Sequence, residues 1–546
     1  MNPISRPWSK HLPDGRWDYV VIGSGMGGMV AAALLAKLGK RVLVLEQHYV
    51  PGGFTHTFRR KAWSWDVGVH AVGEVTRHSM SGRLLAAITD DRLQWASLGP
   101  VYDEFHYPAR DAADGDGFRI DFPDTPEGFR DNLLAAFPRE RKAIDGYLAA
   151  VRQVAGAMKG YYSSRLLPRG AVASLAERTL ARTAHVQLQR RVKDVIAELT
   201  DDPQLACVLT SQWGYYGAPP SRASFAMQAL VTRHFIHGGY YPVGGSAAIA
   251  RELLRTVADA GGHTMIHADV ARIVVERGRV AGVELTDGRR IACPRVISAA
   301  GVASTVTRLL PAELQHASWA RSVAALEPAP AHVCLYLGLR GDIRRAGASP
   351  ANKWFYEHWS SEQEAWQIDG PDPLPPAPVL YCSFPSLKDP LHDAGPEQLH
   401  TAEVVTFVPW SSFAPYRDLR WRKRGEAYEA LKQRLHDRLL AQLLDHMPQL
   451  REHIAYSELS TPVSTDHFVR PMRGSIYGLA PTPERFATEA LRPRAPIDGL
   501  FFAGSEVATV GVIGAAMGGV LAAVAAEPLR SVRWLATATR SRPGRG

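Results

Sequence analysis

Near its start the chain runs Tyr19-Val20-Val21-Ile22, then Gly23-Ser24-Gly25-Met26-Gly27-Gly28, then an apolar stretch from Met29 to Leu38 halted by Gly39. A second apolar run, Arg41 to Leu45, follows and ends on Glu46. Strand, glycine turn, helix and strand with a terminal acid form a compact βαβ unit, which constrains the fold more than any other feature. In such a unit Gly23 permits the tight turn, Gly25 lets the backbone approach a pyrophosphate, and Gly28 lets helix and strand pack closely. The anion rests on the helix N-terminus, where free N–H groups and the macrodipole favour it. Glu46 is placed to accept hydrogen bonds from a ribose. The glycine spacing alone is common; its position between strand and helix makes it specific for a dinucleotide.

At 546 residues the chain is too long for one core, and 46% hydrophobic with 21% charged residues is an ordinary globular composition. The net charge of +9 comes mostly from scattered arginines, and no nucleic-acid motif accompanies it, so no nucleic-acid partner is expected. Two basic clusters stand out. One is Arg417 to Arg424, read as a solvated face; the other is a basic tail over 531–546, with Arg530 just before it and Arg533, Arg540, Arg542 and Arg545 within it. The stretch from Thr537 to Gly546 reads as loose. Cys207, Cys293, Cys334 and Cys382 form no CxxC pair, which argues against disulfides and zinc, so no metal is expected. That pattern suits a reducing, cytoplasmic setting. No secretory h-region is visible in the first residues, and no run approaches the ~20 apolar residues of a membrane span. Gly511 to Ala526 reads as a buried helix, and any membrane contact is expected to be peripheral, on the inner face.

Further along, Phe118 to Phe122 reads as a strand. Leu175 to Leu199 reads as one long helix carrying Arg178, Arg182, Arg190, Arg191 and Lys193, equally suited to a solvated face or a membrane surface. Gly238 to Gly245 opens another helix, Ser246 to Ala260. Strands follow at Ala271 to Glu276, Val280 to Thr286 and Val296 to Gly301, and a last one at Leu500 to Gly504. The expected fold is α/β: a discontinuous Rossmann-type, glutathione reductase-like domain from 1–76, 238–330 and 486–530. Residues 77–237 and 331–485 are two insertions expected to build an α+β substrate domain.

After Glu46-Gln47 comes Gly52-Gly53, then Asp66-x-Gly68-x-His70; the C-terminal part carries Phe501-Phe502-Ala503-Gly504-Ser505-Glu506 and Gly511-Val512-Ile513-Gly514. Together these resemble the amine oxidase and phytoene desaturase superfamily of FAD enzymes. Gly23 to His70, Tyr241 to Ser246, Ser383 to Pro390 and Thr461 to Gly478 resemble its branch of retinol saturases and carotenoid isomerases. The chain departs from that branch at Glu506, where Asp is usual, and at Phe54 and Thr55, where cysteines are common. The resemblance implies FAD held by Gly23, Gly25, Gly28, Glu46, Gln47, Gly52, Gly53, Val270, Gly301, Gly504, Glu506, Val512 and Ile513, with the backbone of Val270 at the adenine and Glu506 at the ribityl chain. It further implies a hydrophobic polyene or lipid-like substrate and NADPH or NADH as electron donor.

Flavin chemistry needs no catalytic triad, and the sequence offers none. His70 is the side chain expected near the flavin, as proton donor or ring support, against the alternative of a hydrogen-bonded structural histidine. Tyr240 and Tyr241 are expected to line the substrate tunnel or simply to pack. Lys388 and Asp389 are expected to form a surface ion pair. The leading expectation is a reductase that saturates a C=C bond of a conjugated lipid, retinoid or carotenoid. A desaturase and a redox-neutral cis–trans isomerase stay open on the same flavin, as do an amine oxidase and a lipid carrier without flavin chemistry.

Overall fold

The computed structural model describes residues 7–110, 115, 117–363 and 365–539. Its centre is a five-stranded sheet in the order Leu500–Phe502, Val296–Ser298, Tyr19–Ile22, Val42–Leu45, His263–Met265, with every pair parallel. Parallel strands covered on both faces need continuous apolar runs, and Tyr19–Ile22 and Val42–Leu45 are buried at every position. The strands come from the start, middle and end of the chain, so this Rossmann-type unit is discontinuous. An antiparallel sheet of Val270–Glu276, Arg279–Leu285 and Arg290–Ala292 stands beside it.

The helix Met26–Lys37 is buried along almost its whole length, and the C-terminal helix Gly511–Ala526 packs on it. Their approach requires glycine. A Cβ on Gly27 would lie 2.5 Å from Gly504 Cα, and one on Gly519 would lie 2.3 Å from Gly27 O. Backbones in contact bring the turn after Ile22 and the turn after Phe502 to one place.

A seven-stranded sheet forms the second layer, in the order Ile454–Ser460, Ala331–Arg340, Leu399–Val408, Val379–Ser383, Asn352–Tyr356, Val101–Tyr107, Phe118–Pro123. Asn352–Tyr356 and Val101–Tyr107 run parallel, the other pairs antiparallel. Helices Pro126–Ala136, Arg141–Leu166 and Phe225–Phe235 complete its aromatic-rich core. The hairpin Thr57–Arg60/Trp63–Asp66 reaches from the first segment onto this sheet, where Trp63 and Trp65 donate to Leu339 O and Leu337 O at 3.2 and 3.0 Å.

Three readings of the sequence need correction. Leu175 to Leu199 is not one helix but parts of three, Ala171–Thr179, Arg182–Gln189 and Val192–Ala197. The first break lies where Leu180 O comes within 2.0 Å of a Cβ built on Gly160, and at the second Arg190 is extended while Arg191 bridges Ser224. Packing onto the helix Arg141–Leu166 thus overrides a continuous helical pattern. The basic tail is helical at its start: Pro528–Ala538 is a helix whose Ser531 is buried and whose Trp534 and Leu535 pack on the first core. Arg540, Arg542 and Arg545 lie outside the described residues. The Arg417 to Arg424 cluster is a solvated face at Arg417, Arg420, Arg422 and Lys423, and departs from it only at Arg424, which is buried and donates to Val463 O. Among the described residues no helix is long and apolar enough to cross a membrane.

Candidate active site

One cavity of about 490 Å³ runs between the two layers. At its polar end the helix Met26–Lys37 starts on Gly25 without a side-chain cap and without an acid in its first turn. Helix Gly511–Ala526 starts on Val510 in the same way, and Val512 and Ile513 also line the cavity. Unsatisfied first-turn N–H groups on two helices therefore face one space, and such N-termini bind anions and electron-rich oxygens. A Cβ built on Gly25 meets nothing within 4 Å, whereas one on Gly28 would lie 2.2 Å from Gly23 O. Gly25 thus leaves room in the cavity, while Gly28 serves packing. Donor groups, open space and apolar walls fit a bound dinucleotide.

Glu46 is buried; its carboxylate accepts Ser24 N at 2.9 Å and His48 N at 2.8 Å, and the Ser24 hydroxyl at 2.6 Å. Ser24 Oγ in turn accepts Gly52 N at 3.0 Å, tying the Gly52-Gly53 turn to the glycine loop. Gly53 lines the cavity; Gly52 stands behind it with φ +129°. Gln47 lines the cavity and donates across it to Phe468 O at 2.6 Å. Gly23, Val270, Gly301 and Gly504 also line it. Glu506 does too, its carboxylate accepting Ala303 N at 3.0 Å; burial pushes its pKa up. Of the residues singled out in the sequence, Gly28, Gly52, Tyr240, Tyr241, Lys388 and Asp389 are outside the wall.

The far end of the cavity is built by strand alternation, which sends every second residue to the same face. On the seven-stranded sheet two rows result. Asp103 pairs with Asn352, and Ser383 with Glu403, in a polar row. Phe105 pairs with Trp354, Trp354 with Tyr381, and Tyr381 with Val405, in an apolar row two residues further along. Tyr215, Trp354 and Tyr381 meet edge to face, with ring centroids 4.5 to 5.9 Å apart. With Phe407, Met227, Leu230 and Val231 they make an aromatic and aliphatic wall suited to a flat, elongated apolar molecule.

The polar row carries a lysine that the sequence reading put at the surface. Lys388 is 3% exposed. Its ammonium donates to His70 O and Ser383 Oγ, both at 2.7 Å, and to Asn352 Oδ1. Burial lowers its pKa to about 8, partly opposed by Glu403, Asp103 and Asp66. Asp389 makes no pair with it and instead accepts Gly244 N at 2.9 Å. Asn352 Nδ2 passes the chain on to Asp103 at 2.9 Å, and Tyr215 donates to the same carboxylate at 2.7 Å. Burial raises the pKa of Asp103 and of Glu403, the latter well above the usual range. Acids inside the strands Val101–Tyr107 and Leu399–Val408, Asp103 and Glu403, were the sequence signals for this network.

His70 lines the cavity with its side chain 14% exposed. Its Nδ1 lies 2.9 Å from Glu403 Oε2 but out of hydrogen-bond alignment, so the contact is close without being a hydrogen bond. Burial and then Lys388 lower its pKa to about 3, leaving a neutral ring. Tyr241 does not line the tunnel: it is 2% exposed and its hydroxyl donates to Asp66, as does that of Ser246. Burial raises Asp66 to about 6. Tyr240 is also off the wall, donating to His237 O at 3.2 Å. Among the described residues no group of three or more His, Cys, Asp or Glu side chains is arranged to hold a metal ion.

Next to His70, His332 is 5% exposed and its Nδ1 has no partner; burial lowers its pKa from 6.5 to about 4. The unfolded chain therefore takes a proton at pH values where the folded one does not, and stability is lost as pH falls from 6.5 toward 4. Full development of that linkage is worth about 3 kcal/mol. His332→Phe is expected to lose less Tm than the wild type between pH 7 and pH 4.5, as read by thermal melts across that range.

The sequence matches the flavin containing amine oxidoreductase family over residues 26–526. It is 30% identical over 516 residues to the all-trans-retinol 13,14-reductase of Danio rerio, covering 92% of this chain and 84% of that protein. It is 26% identical over 522 residues to the chloroplastic prolycopene isomerase of Arabidopsis thaliana, covering 93% and 82%. An oxidoreductase from Methanosarcina mazei shares the fold with a TM-score of 0.60 at 16% identity, over 92% of this chain and 98% of the other.

Proposed function

Since the chain belongs to the flavin containing amine oxidoreductase family, within its retinol saturase and carotenoid isomerase branch, we propose that it is an FAD-dependent reductase that saturates a C=C bond of a conjugated lipid, retinoid or carotenoid. The observation that carries this reading is the single cavity in which two uncapped helix N-termini give way to an aromatic wall. FAD bound there supplies two-electron hydride chemistry at carbon. The first turn after Gly25 holds the pyrophosphate, with Gly23 in the turn and Gly28 and Gly52 behind it. Glu46 and Gln47 serve the ribose end, and the Val270 backbone serves the adenine. Gly53, Gly301, Gly504 and Glu506 border the middle of the cofactor, and Val512 and Ile513 present the second helix N-terminus to its ring. Tyr215, Trp354, Tyr381 and Phe407 orient the polyene and keep water out. His70, neutral at physiological pH, supports the ring edge and donates no proton as an imidazolium.

The electron donor in this reading is NADPH or NADH. The polyene arrives from a membrane, with the enzyme peripheral on its cytoplasmic face. Similarity to prolycopene isomerase favours one second reading, a redox-neutral isomerase on the same flavin. An anaerobic absorption experiment separates the two. The purified protein is expected to show an oxidised flavin spectrum that bleaches with NADPH and recovers, with one equivalent of saturated product, on adding all-trans-retinol or another polyene. Reduced flavin that persists while the polyene isomerises selects the second reading. Flavin that bleaches on adding the polyene alone selects a desaturase and refutes both.

A further inference from the structure

Large exposed apolar side chains gather on one part of this molecule. Among the described residues, six of the ten lie in two short stretches. Val172, Leu175, Leu180 and Val186, 54 to 72% exposed, are on or between Ala171–Thr179 and Arg182–Gln189. Leu529 and Val532, 88% and 58% exposed, are on Pro528–Ala538. The segments that lead into the two stretches meet at Arg494. Arg169 Nη1 donates to Arg494 O at 3.0 Å, and Arg494 Nη2 donates to Ala525 O. One arginine thus joins the chain just before Val172 to the chain just before Leu529.

Basic groups surround these side chains. Arg178, Arg182, Arg530 and Arg533 are exposed, and no acid pairs with them among the described residues. Glu177 is taken by Arg492 and Glu484 lies 3.9 Å from Arg191, which leaves Glu489 as an acid without an ion pair beside the helix pair among the described residues. The apolar groups are all aliphatic, whereas the cores of protein interfaces are enriched in aromatics. Aliphatic side chains flanked by arginines match the boundary of an anionic bilayer, where the former enter the acyl region and the latter meet headgroups. The patch also backs onto the cavity. Tyr161 packs edge to face on His185 of the second helix at 5.6 Å, and its chain neighbour Tyr162 lines the cavity.

We propose that the face formed by Ala171–Gln189 and Pro528–Ala538 docks on an anionic lipid surface and takes the apolar substrate from it. This rests on the reading of the substrate as a membrane-dissolved polyene. The face binds by shallow insertion, with no spanning segment, so occupancy depends on both charge and apolar contact and weakens with salt.

The test uses the full-length flavoprotein and a triple variant, Leu175→Asp, Leu180→Asp, Leu529→Asp, with flavin content and circular dichroism confirming that the variant folds. Co-sedimentation is measured with vesicles of phosphatidylglycerol and phosphatidylcholine in equal parts, and with phosphatidylcholine alone. The wild type is expected to bind the anionic vesicles at least tenfold more tightly and to lose that preference in 0.5 M NaCl. The variant is expected to lose at least tenfold on anionic vesicles while turning over detergent-dispersed all-trans-retinol at the wild-type rate. Wild-type binding that is equal on both vesicle types, or unchanged in the variant, overturns the proposal. So does a wild-type dimer that the variant makes monomeric with neither binding vesicles, which would identify the face as a protein interface. If no polyene reoxidises the reduced wild type in detergent, the functional reading fails on its own, whatever the vesicles show.

Discussion

Gly25→Ala is expected to yield a folded protein that purifies with less than a tenth of the wild-type flavin. A Cβ at this position meets no protein atom within 4 Å, and the residue already has φ −62°, so the apoprotein accepts alanine without strain. The methyl group instead enters the space where the first-turn N–H groups face the cavity, and it keeps a pyrophosphate from approaching them. Gly28→Ala, three residues on, has the opposite signature. Its Cβ would sit 2.2 Å from Gly23 O and 3.0 Å from Ala299 Cβ, a collision of the new methyl group with backbone inside the core. Overpacking of that kind costs about 3 kcal/mol, and the variant is expected to melt lower or fail to accumulate. Absorbance at 450 nm per protein, together with Tm of the apoproteins, reads both effects. If the two variants lose flavin and stability in parallel, Gly25 is a packing residue and this helix N-terminus holds no pyrophosphate.

Lys388→Met is expected to be among the most damaging single changes outside the glycine loop. It leaves Glu403, Asp103 and Asp66 buried without their cation and strips donors from His70 O, Asn352 Oδ1 and Ser383 Oγ. Removing one partner of a buried charge network costs about 3–5 kcal/mol. The segment bearing His70 loses its anchor with it, so flavin content is expected to fall as well. The pH dependence identifies the cause. A lysine whose pKa drops from 10.5 to about 8 on folding binds fewer protons folded than unfolded between those values, so stability rises with pH across that window. The wild type should gain stability from this site between pH 8 and 10, and Lys388→Met should lack that gain in thermal melts. A variant as stable as the wild type at pH 7 would place Lys388 in contact with water.

The sequence alone determined the parts whose chemistry is contiguous. Tyr19 to Glu46 carries strand, turn, helix and acid within one short stretch, so the βαβ unit and its glycine turn were legible before any tertiary contact was known. The segments around Gly52-Gly53 and Gly504 to Gly514 identified the family for the same reason, as short loops that the fold brings to one cavity. Only the tertiary structure decided the rest, because burial depends on which distant strands pair. Lys388 follows a loop that looks exposed, and it is buried because Asn352, Ser383 and Glu403 come together in adjoining strands of one sheet. Tyr241 sits at a domain junction, yet Asp66 draws its hydroxyl away from the tunnel. The stretch from Leu175 to Leu199 has the period of one helix, and contact with Arg141–Leu166 breaks it into pieces that expose Leu175, Leu180 and Val186 together. Local pattern sets the glycine turns and helix N-termini; long-range register sets the aromatic wall, the buried charges and the surface the chain presents.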